Sequence, residues 1–221
     1  MKYEAALFDL DGTLVDSVYD LYIAMNLTLS DLAFPIVSQG LVQSWVGNGI
    51  EMLVKRGLSG DMKVSEHLDP ALADKAIALF YGHYEQQVGE YSVLYQHVET
   101  GLAALRGIPK ALITNKARCF TEKLLDKLAL SSHFEVIVCG DDMAKKPSPE
   151  PLLFACQQLN VPVSQAIMIG DSKSDILAAQ AAHIDVLAVN YGYNQGENLA
   201  DLNPQYLCEN FLDIIPVLTQ R

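Results

Sequence analysis

The sequence predicts an α/β fold: a doubly wound parallel sheet with a small α-helical domain inserted after the first strand. Three observations predict it. The chain has 221 residues, which is long for one compact domain and short for two full ones. Its second half alternates short apolar strands with amphipathic helices, a pattern typical of parallel sheets with right-handed crossovers. Before that alternation lies a long block with helical periodicity.

The elements of the sheet domain follow from local patterns. The first strand is EAALF, residues 4–8, which leads into Asp9 and is stopped by Gly12. After residue 92, each amphipathic helix leads to an apolar strand. The predicted helices are 98–106, 117–129, 149–160 and SDILAAQAA, and the strands that follow them in turn are KALITN, FEVIVCG, AIMIGD and DVLAVNYG.

The insertion is predicted from apolar residues at three- and four-residue spacing between Asp16 and about Tyr91. Asp16 or Ser17 is a good N-cap for its first helix. The stretch Gly47-Asn48-Gly49 breaks its middle into two helical runs. We therefore expect residues 16–91 to form a helical domain, and residues 1–15 and 92–221 to form the α/β domain.

Charge limits the partners. The chain has 27 acidic and 15 basic residues and a net charge of −12, which argues against nucleic acid and anionic membranes. A small anionic substrate stays possible, because salt screens distant charges beyond about 8 Å.

The N-terminus has no signal-peptide pattern and no apolar run approaches a membrane span. The four cysteines show no CxxC spacing and are expected to be buried thiols. We expect a cytoplasmic protein.

Polar clusters follow the predicted strands, and ligands of such sheets bind outside the carboxyl ends of the strands. The clusters are Asp9/Asp11, Thr114-Asn115, Gly140-Asp141-Asp142 and Gly170-Asp171. Each has an ordinary explanation when taken alone. Asp and Gly build turns, Lys146 in KPSPEP can be solvated, and N-capping explains one of Asp171 and Asp175. Together they predict an oxygen-rich site for a hard divalent cation with donors for a phosphate.

A calcium loop is one alternative for the first cluster. Asp9, Asp11, Thr13 and Asp20 occupy loop positions 1, 3, 5 and 12. Position 6, which requires glycine for the sharp turn, is Leu14, and a strand precedes the loop instead of a helix. The sequence therefore argues against calcium, and no His or Cys pair has zinc spacing.

Four stretches carry a resemblance to a known family. FDLDGTLVDS, ITN, KPSPEP and GDSKSD, in this order, resemble the four motifs of the haloacid dehalogenase superfamily of phosphotransferases. The position of the helical block is similar to the subgroup with an α-helical cap between the first two motifs. SWVGNGIEMLVKRGL and NYGYNQGENL resemble bacterial phosphoglycolate phosphatases in particular.

The resemblance implies a role for each motif residue. Asp9 would be the nucleophile that forms an aspartyl-phosphate, and Asp11 the general acid and base. Mg²⁺ would be held by the Asp9 side chain, the Asp11 carbonyl and the Asp171 carboxylate, with Asp175 behind these ligands. The phosphate would be bound by Thr114, the amide of Asn115 and Lys146, which the spacing to Pro147 favours over Lys145.

Substrate choice is expected to lie in the insertion, which closes over the site in capped members. The break Gly47-Asn48-Gly49 is the expected specificity loop, although a plain helix–helix turn explains it equally well. Lys116, Lys55 and Arg56 are candidates for a substrate carboxylate. For Lys55 and Arg56 a solvated helix face is the more ordinary interpretation.

The resulting hypothesis is an Mg²⁺-dependent phosphatase for a small phosphate ester, 2-phosphoglycolate above all, as a monomer or homodimer. A sugar phosphate, a nucleotide or pyrophosphate is an alternative substrate. A phosphomutase resembling β-phosphoglucomutase is a second hypothesis, although such enzymes usually place a basic residue where this chain has Asn48 and Gly49. A phospho-sensing receiver module is a third, but it would lack the insertion and leave the Asp9/Asp11 pair unexplained.

Overall fold

The computed structural model describes residues 2–219. Within them a parallel sheet has the strand order β5-β4-β1-β6-β7-β8. This confirms the predicted fold class. The strands are β1 (Ala5–Phe8), β4 (Lys110–Ile113), β5 (Val136–Val138), β6 (Ala166–Gly170), β7 (Asp185–Val189) and β8 (Tyr206–Cys208).

The register brings the ends of three strands together. Phe8 on β1 pairs with Leu112 on β4 on one side and with Ile169 on β6 on the other. Because β1, β4 and β6 are parallel, the residues that follow them meet at one edge of the sheet. The helices of this part are α5 (Val98–Ala104), α6 (Arg118–Lys127), α7 (Glu150–Gln158), α8 (Lys173–Ala181) and α9 (Ile214–Thr219).

Four further helices lie between β1 and α5: α1 (Val18–Asp31), α2 (Gln39–Trp45), α3 (Ile50–Ser59) and α4 (Pro70–Gln87). Helix α1 packs against the other three. Trp45, Phe80 and Tyr84 are among the large side chains buried in this region. None of the helices within residues 2–219 combines the length and apolar character that a membrane crossing needs.

The chain enters and leaves this helical segment through a two-stranded antiparallel ribbon, β2 (Val15–Asp16) and β3 (Val93–Leu94). Asp20 on α1 reinforces the junction. Its buried carboxylate accepts hydrogen bonds from the backbone N–H groups of Gly89, Tyr91 and Ser92, at 2.9, 2.9 and 3.2 Å. Asp20 is therefore committed to backbone donors, which agrees with the rejection of a calcium loop.

The ribbon, β8 and α9 were not predicted. A strand of two residues is too short for alternation to be visible in a sequence. The prediction of buried cysteines holds for Cys139, Cys156 and Cys208 and is wrong for Cys119, which is exposed.

Candidate active site

The site lies where β1, β4 and β6 end. Asp9 follows β1 directly, and its backbone N–H donates to the carbonyl of Ile169 on β6, at 2.9 Å. Thr114 follows β4, and Asp171 follows β6. All three are buried, with 8, 4 and 1% of their surface exposed. The fold thus gathers motif residues that are more than 160 positions apart along the chain.

Lys146 joins three of these segments. Its buried ammonium donates to Asp9 Oδ1 at 2.7 Å, to Asp175 Oδ1 at 2.7 Å and to the Ile113 carbonyl at 2.6 Å. Burial alone would lower the pKa of Lys146, but the charges of Asp175 and Asp9 hold that pKa above its ordinary value. Lys145, which is half-buried, instead places its Nζ beneath Gly49. The structure therefore brings Lys146 to Asp9.

Asp171 and Asp175 are fixed by local hydrogen bonds. Asp171 accepts from the Thr13 hydroxyl at 2.7 Å and from the Tyr193 backbone N–H. Asp175 belongs to the capping box of α8, in which its Oδ2 accepts from the N–H and hydroxyl of Ser172. N-capping thus accounts for one carboxylate oxygen of Asp175, Oδ2, whereas Oδ1 accepts from Lys146.

The buried carboxylates fit a hard divalent cation. Carboxylate oxygens of Asp9, Asp171 and Asp175 lie within 4.8 Å of one another. Burial raises the pKa of Asp9 to about 7, against the opposing charge of Lys146. Burial and then the charges of Asp9 and Asp175 raise the pKa of Asp171 well above its usual range. Three carboxylates beside one ammonium leave the cluster short of positive charge, and its all-oxygen donor set is what Mg²⁺ and similar ions prefer.

The backbone comes unusually close to this cluster at two glycines. A Cβ on Gly12, whose φ is +95°, would lie 2.1 Å from Asp171 Oδ2. A Cβ on Gly192 would lie 2.4 Å from the same oxygen. The glycine of the DxDG turn is therefore required both by its left-handed backbone and by the space that Asp171 needs.

The Asp11 side chain is not one of the three clustered carboxylates and has partners of its own. Its Oδ1 accepts from the Ser17 hydroxyl, and both of its oxygens lie 3.1 Å from Lys116 Nζ. Lys116 is itself buried and donates to the Tyr84 hydroxyl at 2.6 Å. Burial would lower the pKa of Lys116, but Asp11 and Tyr84 raise it above its usual value. The two aspartates of FDLDG thus sit in separate electrostatic environments, each with its own lysine.

Thr114 and Asn115, the polar pair after β4, make different hydrogen bonds. The Thr114 hydroxyl accepts from the Lys116 backbone N–H at 3.1 Å. The Asn115 side chain binds both the N–H and the carbonyl of Lys146 at 2.9 Å, and also donates to the Gly47 carbonyl at 2.9 Å. Asn115 therefore holds the lysine loop and the helical segment together through its side chain.

The break between α2 and α3 is docked on the sheet domain. Asn48 donates to the Ser174 hydroxyl at 3.2 Å, and Gln195 donates to the Val46 carbonyl. Gly49, with φ +84°, is the N-cap of α3, so the predicted break between two helical runs is present. The Asn48 side chain faces the sheet domain at this contact.

A small cavity of about 40 Å³ lies between the two parts. Its floor is polar and its roof comes from apolar side chains of the helical segment. Its lining includes Asp9, Asp11, Lys116, Leu21, Ile50 and Leu53. Among the described residues that line it, Lys116 is the one with a positive charge. The cavity is small and partly open, and one cationic side chain, Lys116, contributes to its lining.

Two sequence expectations need correction. Arg56 is not solvated, since it is buried and donates to the carbonyls of Trp45 and Met62, and it is not among the residues that line the cavity.

The Ser17 side chain does not cap α1, because it is bound to Asp11. Asp16, the other predicted cap, accepts from the Val18 N–H through Oδ1 at 3.3 Å.

The polar cluster after β5 is bound to the start of α6. Asp141 accepts from the Arg118 backbone N–H, and Asp142 accepts from the Arg118 side chain.

Comparison with known proteins identifies the family. Residues 6–189 match the family model described as haloacid dehalogenase-like hydrolase. The chain belongs to this family. A phosphoglycolate phosphatase of Colwellia psychrerythraea is 45% identical over 96% of this chain and 95% of its own, and one of Psychrobacter arcticus is 40% identical over 99% and 96%. The crystal structure of a predicted phosphoglycolate phosphatase from Haemophilus somnus 129PT is 31% identical, covers 98% of each chain and has a TM-score of 0.91. The predicted family and the predicted class, a phosphoric monoester hydrolase, are confirmed.

Sequence reasoning missed several residues that shape this site: Ser17, Tyr84, Tyr193 and Gln195. Ser17 ends the first motif, and Tyr193 and Gln195 lie in the stretch NYGYNQGENL that carried part of the resemblance. The tyrosine-rich loop after a strand end was the available signal. No sequence signal marked Tyr84, because it is one of three Phe and Tyr residues in a helix of 18 residues.

Proposed function

We propose that this protein hydrolyses 2-phosphoglycolate to glycolate and phosphate with the help of Mg²⁺. The observation that carries the choice of substrate is the buried Lys116 in a small cavity with an apolar roof. Its ammonium can meet the carboxylate of a two-carbon phosphorylated acid. A hexose phosphate or a nucleotide would bring many hydroxyl groups against Leu21, Ile50 and Leu53, where the roof offers them no polar partner. The names of the relatives support the same substrate.

The reaction follows from the separate environments of Asp9 and Asp11. Asp9 attacks phosphorus, the bond to the ester oxygen breaks, and Asp11 gives its proton to the leaving alkoxide. Water then attacks the aspartyl-phosphate and gives a proton to Asp11, which releases phosphate and restores Asp9. Asp11 must begin protonated.

The remaining motif residues stabilise charge. Asp9, the Asp11 carbonyl and Asp171 would hold Mg²⁺, with Asp175 behind them. When bound, the ion neutralises phosphoryl charge and helps to orient the phosphate. Thr114, the Asn115 amide and Lys146 would bind the phosphoryl oxygens in the transition state.

Residues 16–91 would serve as the cap over this site, and residues 1–15 and 92–221 as the core. The contacts of Gly47 and Asn48 with the core support a closed position that excludes bulk water. The protein would act in the cytoplasm as a monomer or homodimer. The bound Asn48 side chain and the absence of a side chain on Gly49 disfavour a phosphomutase, which would show no net phosphate release without a bisphosphate activator.

A pair of matched substrates tests the role of the carboxylate. The kcat/KM for phosphate release should be higher for 2-phosphoglycolate than for ethyl phosphate, hexose phosphates, nucleotides and pyrophosphate. In K116M the preference for 2-phosphoglycolate over ethyl phosphate should collapse by about 100-fold, the value of one charged contact of about 3 kcal/mol. K55M, which changes a lysine outside the cavity lining, is the control. An unchanged preference in K116M would refute this assignment.

A further inference from the structure

The hydroxyl of Tyr193 is fully used at the start of helix α1. It accepts hydrogen bonds from the backbone N–H groups of Ser17 and Val18, at 2.8 and 3.0 Å, and donates to Asp16 Oδ1 at 2.6 Å. A phenolic hydroxyl has one donor and two acceptor positions. Tyr193 has 3% of its surface exposed, so solvent has little access to replace these bonds. Its hydroxyl thus binds the N–H groups of the N-cap residue and of the first residue of α1, which have no carbonyl partner within the helix.

Ser17 is the residue whose side chain would be expected there. It is the N-cap of α1, yet its φ of −109° and ψ of 4° lie outside the extended region typical of that position. Its hydroxyl makes no capping bond and donates to Asp11 Oδ1 instead. Tyr193 therefore holds the backbone N–H of the same residue whose hydroxyl binds Asp11.

We propose that Tyr193 is a positioning residue for Asp11: its hydroxyl caps α1, and this keeps the Ser17 hydroxyl on the Asp11 carboxylate. The backbone N–H of Tyr193 also donates to Asp171. One residue therefore aligns Asp11 through Ser17 and Asp171 directly. The inference rests on the acid–base role proposed above for Asp11.

Loss of the hydroxyl has a definite structural consequence. In Y193F the Ser17 N–H loses its acceptor in a buried place, and the Val18 N–H keeps only its longer bond to Asp16 Oδ1, at 3.3 Å, which is costly for backbone donors. Without the anchor at its own N–H, Ser17 turns toward the extended N-cap conformation, in which its hydroxyl accepts from the N–H of the second or third helical residue. That movement takes the hydroxyl away from Asp11. Tyr193 and Ser17 therefore act on Asp11 through the same hydrogen bond.

The test is a double-mutant cycle with a matched control. Y193F and S17A should each lower kcat about tenfold, the cost of about 1.4 kcal/mol, with KM changed less than about twofold. The double variant should be no slower than S17A alone, because the shared bond is already lost. S17T, which keeps the hydroxyl, should retain most of the activity. The control is Y3F, since Tyr3 is also buried but bonds Asp185 at the opposite, amino-terminal end of β7.

Hydrogen exchange gives a readout that does not depend on activity. The amides of residues 17 and 18 should exchange faster in Y193F and at the wild-type rate in Y3F. D16A, which removes the acceptor of the Tyr193 hydroxyl, should speed exchange at residue 17 by a smaller factor and serves if Y193F fails to fold. Residue 18 is not compared in this variant, because Asp16 Oδ1 also accepts from the Val18 N–H at 3.3 Å. Additive losses of about 100-fold in the double variant, or unchanged exchange in Y193F, would overturn the proposal. High activity of D11N would refute the acid–base role of Asp11, whereas the exchange data would still decide whether Tyr193 caps α1.

Discussion

The close approach of Gly12 to Asp171 predicts a large and separable effect of one methyl group. In G12A the new Cβ would lie 2.1 Å from Asp171 Oδ2, whereas real Cβ atoms stay beyond 3.0 Å, so one of them must move by about 0.9 Å. A displacement of about 1 Å can reduce catalysis about 100-fold. The backbone adds a cost of about 1–2 kcal/mol, because φ is +95° and an L-residue is strained there.

Gly107 separates these two effects. Its φ is +97°, and a Cβ there would meet no atom within 4 Å. G107A should therefore lower Tm by about 2–8 °C, from 1–2 kcal/mol at about 2–4 °C per kcal/mol for a chain of this size, and leave kcat/KM unchanged. G12A should lower Tm at least as much and reduce kcat/KM about 100-fold. Thermal unfolding by circular dichroism and phosphate release measure the two quantities. If G12A matches G107A in both, the steric argument is wrong.

Three further outcomes are expected. D9N should abolish turnover and keep the wild-type circular dichroism spectrum, and near-normal phosphate release would exclude the covalent mechanism. Chelation by EDTA should silence the enzyme and added Mg²⁺ should restore it, so activity indifferent to the chelator would contradict the proposed ion. K146M should lose about 3–5 kcal/mol of unfolding free energy in urea, because Asp9 and Asp175 keep buried charges without a cation. K145M, which changes a half-buried lysine, should stay within about 0.5 kcal/mol of wild type, and equal stability of the two variants would refute the argument.

The order of elements was predictable because each strand and helix carries its own periodicity. The alternation after residue 92 predicted β4 to β7, and the parallel arrangement then placed Asp9, Thr114 and Asp171 at one edge. The choice between Lys145 and Lys146 rested on a motif spacing. In the structure the Lys146 ammonium donates to the Asp9 carboxylate. These features are local, or follow from rules of topology.

Interactions between distant side chains were not predictable in the same way. The buried Arg56 guanidinium donates a hydrogen bond to the Trp45 carbonyl. The helical pattern of the sequence does not reveal this contact between two helices. The capping of α1 by Tyr193 joins residues about 175 positions apart. A single sequence contains no signal for such a bond. Local rules favoured Asp16 or Ser17, of which Asp16 does accept from the Val18 N–H, at 3.3 Å.

The ribbon of β2 and β3 makes the helical segment a removable module. Val15 and Leu94 are paired, so the segment begins and ends at neighbouring points in space. Two splice points, one in each strand of the ribbon, are therefore enough to exchange it. The carboxylates and Lys146 all lie outside residues 16–91. Grafting the corresponding segment of a relative with another substrate at this ribbon would leave the phosphoryl-transfer groups in place. It would exchange the surface that meets the leaving group, together with the Ser17 and Tyr84 contacts to Asp11 and Lys116.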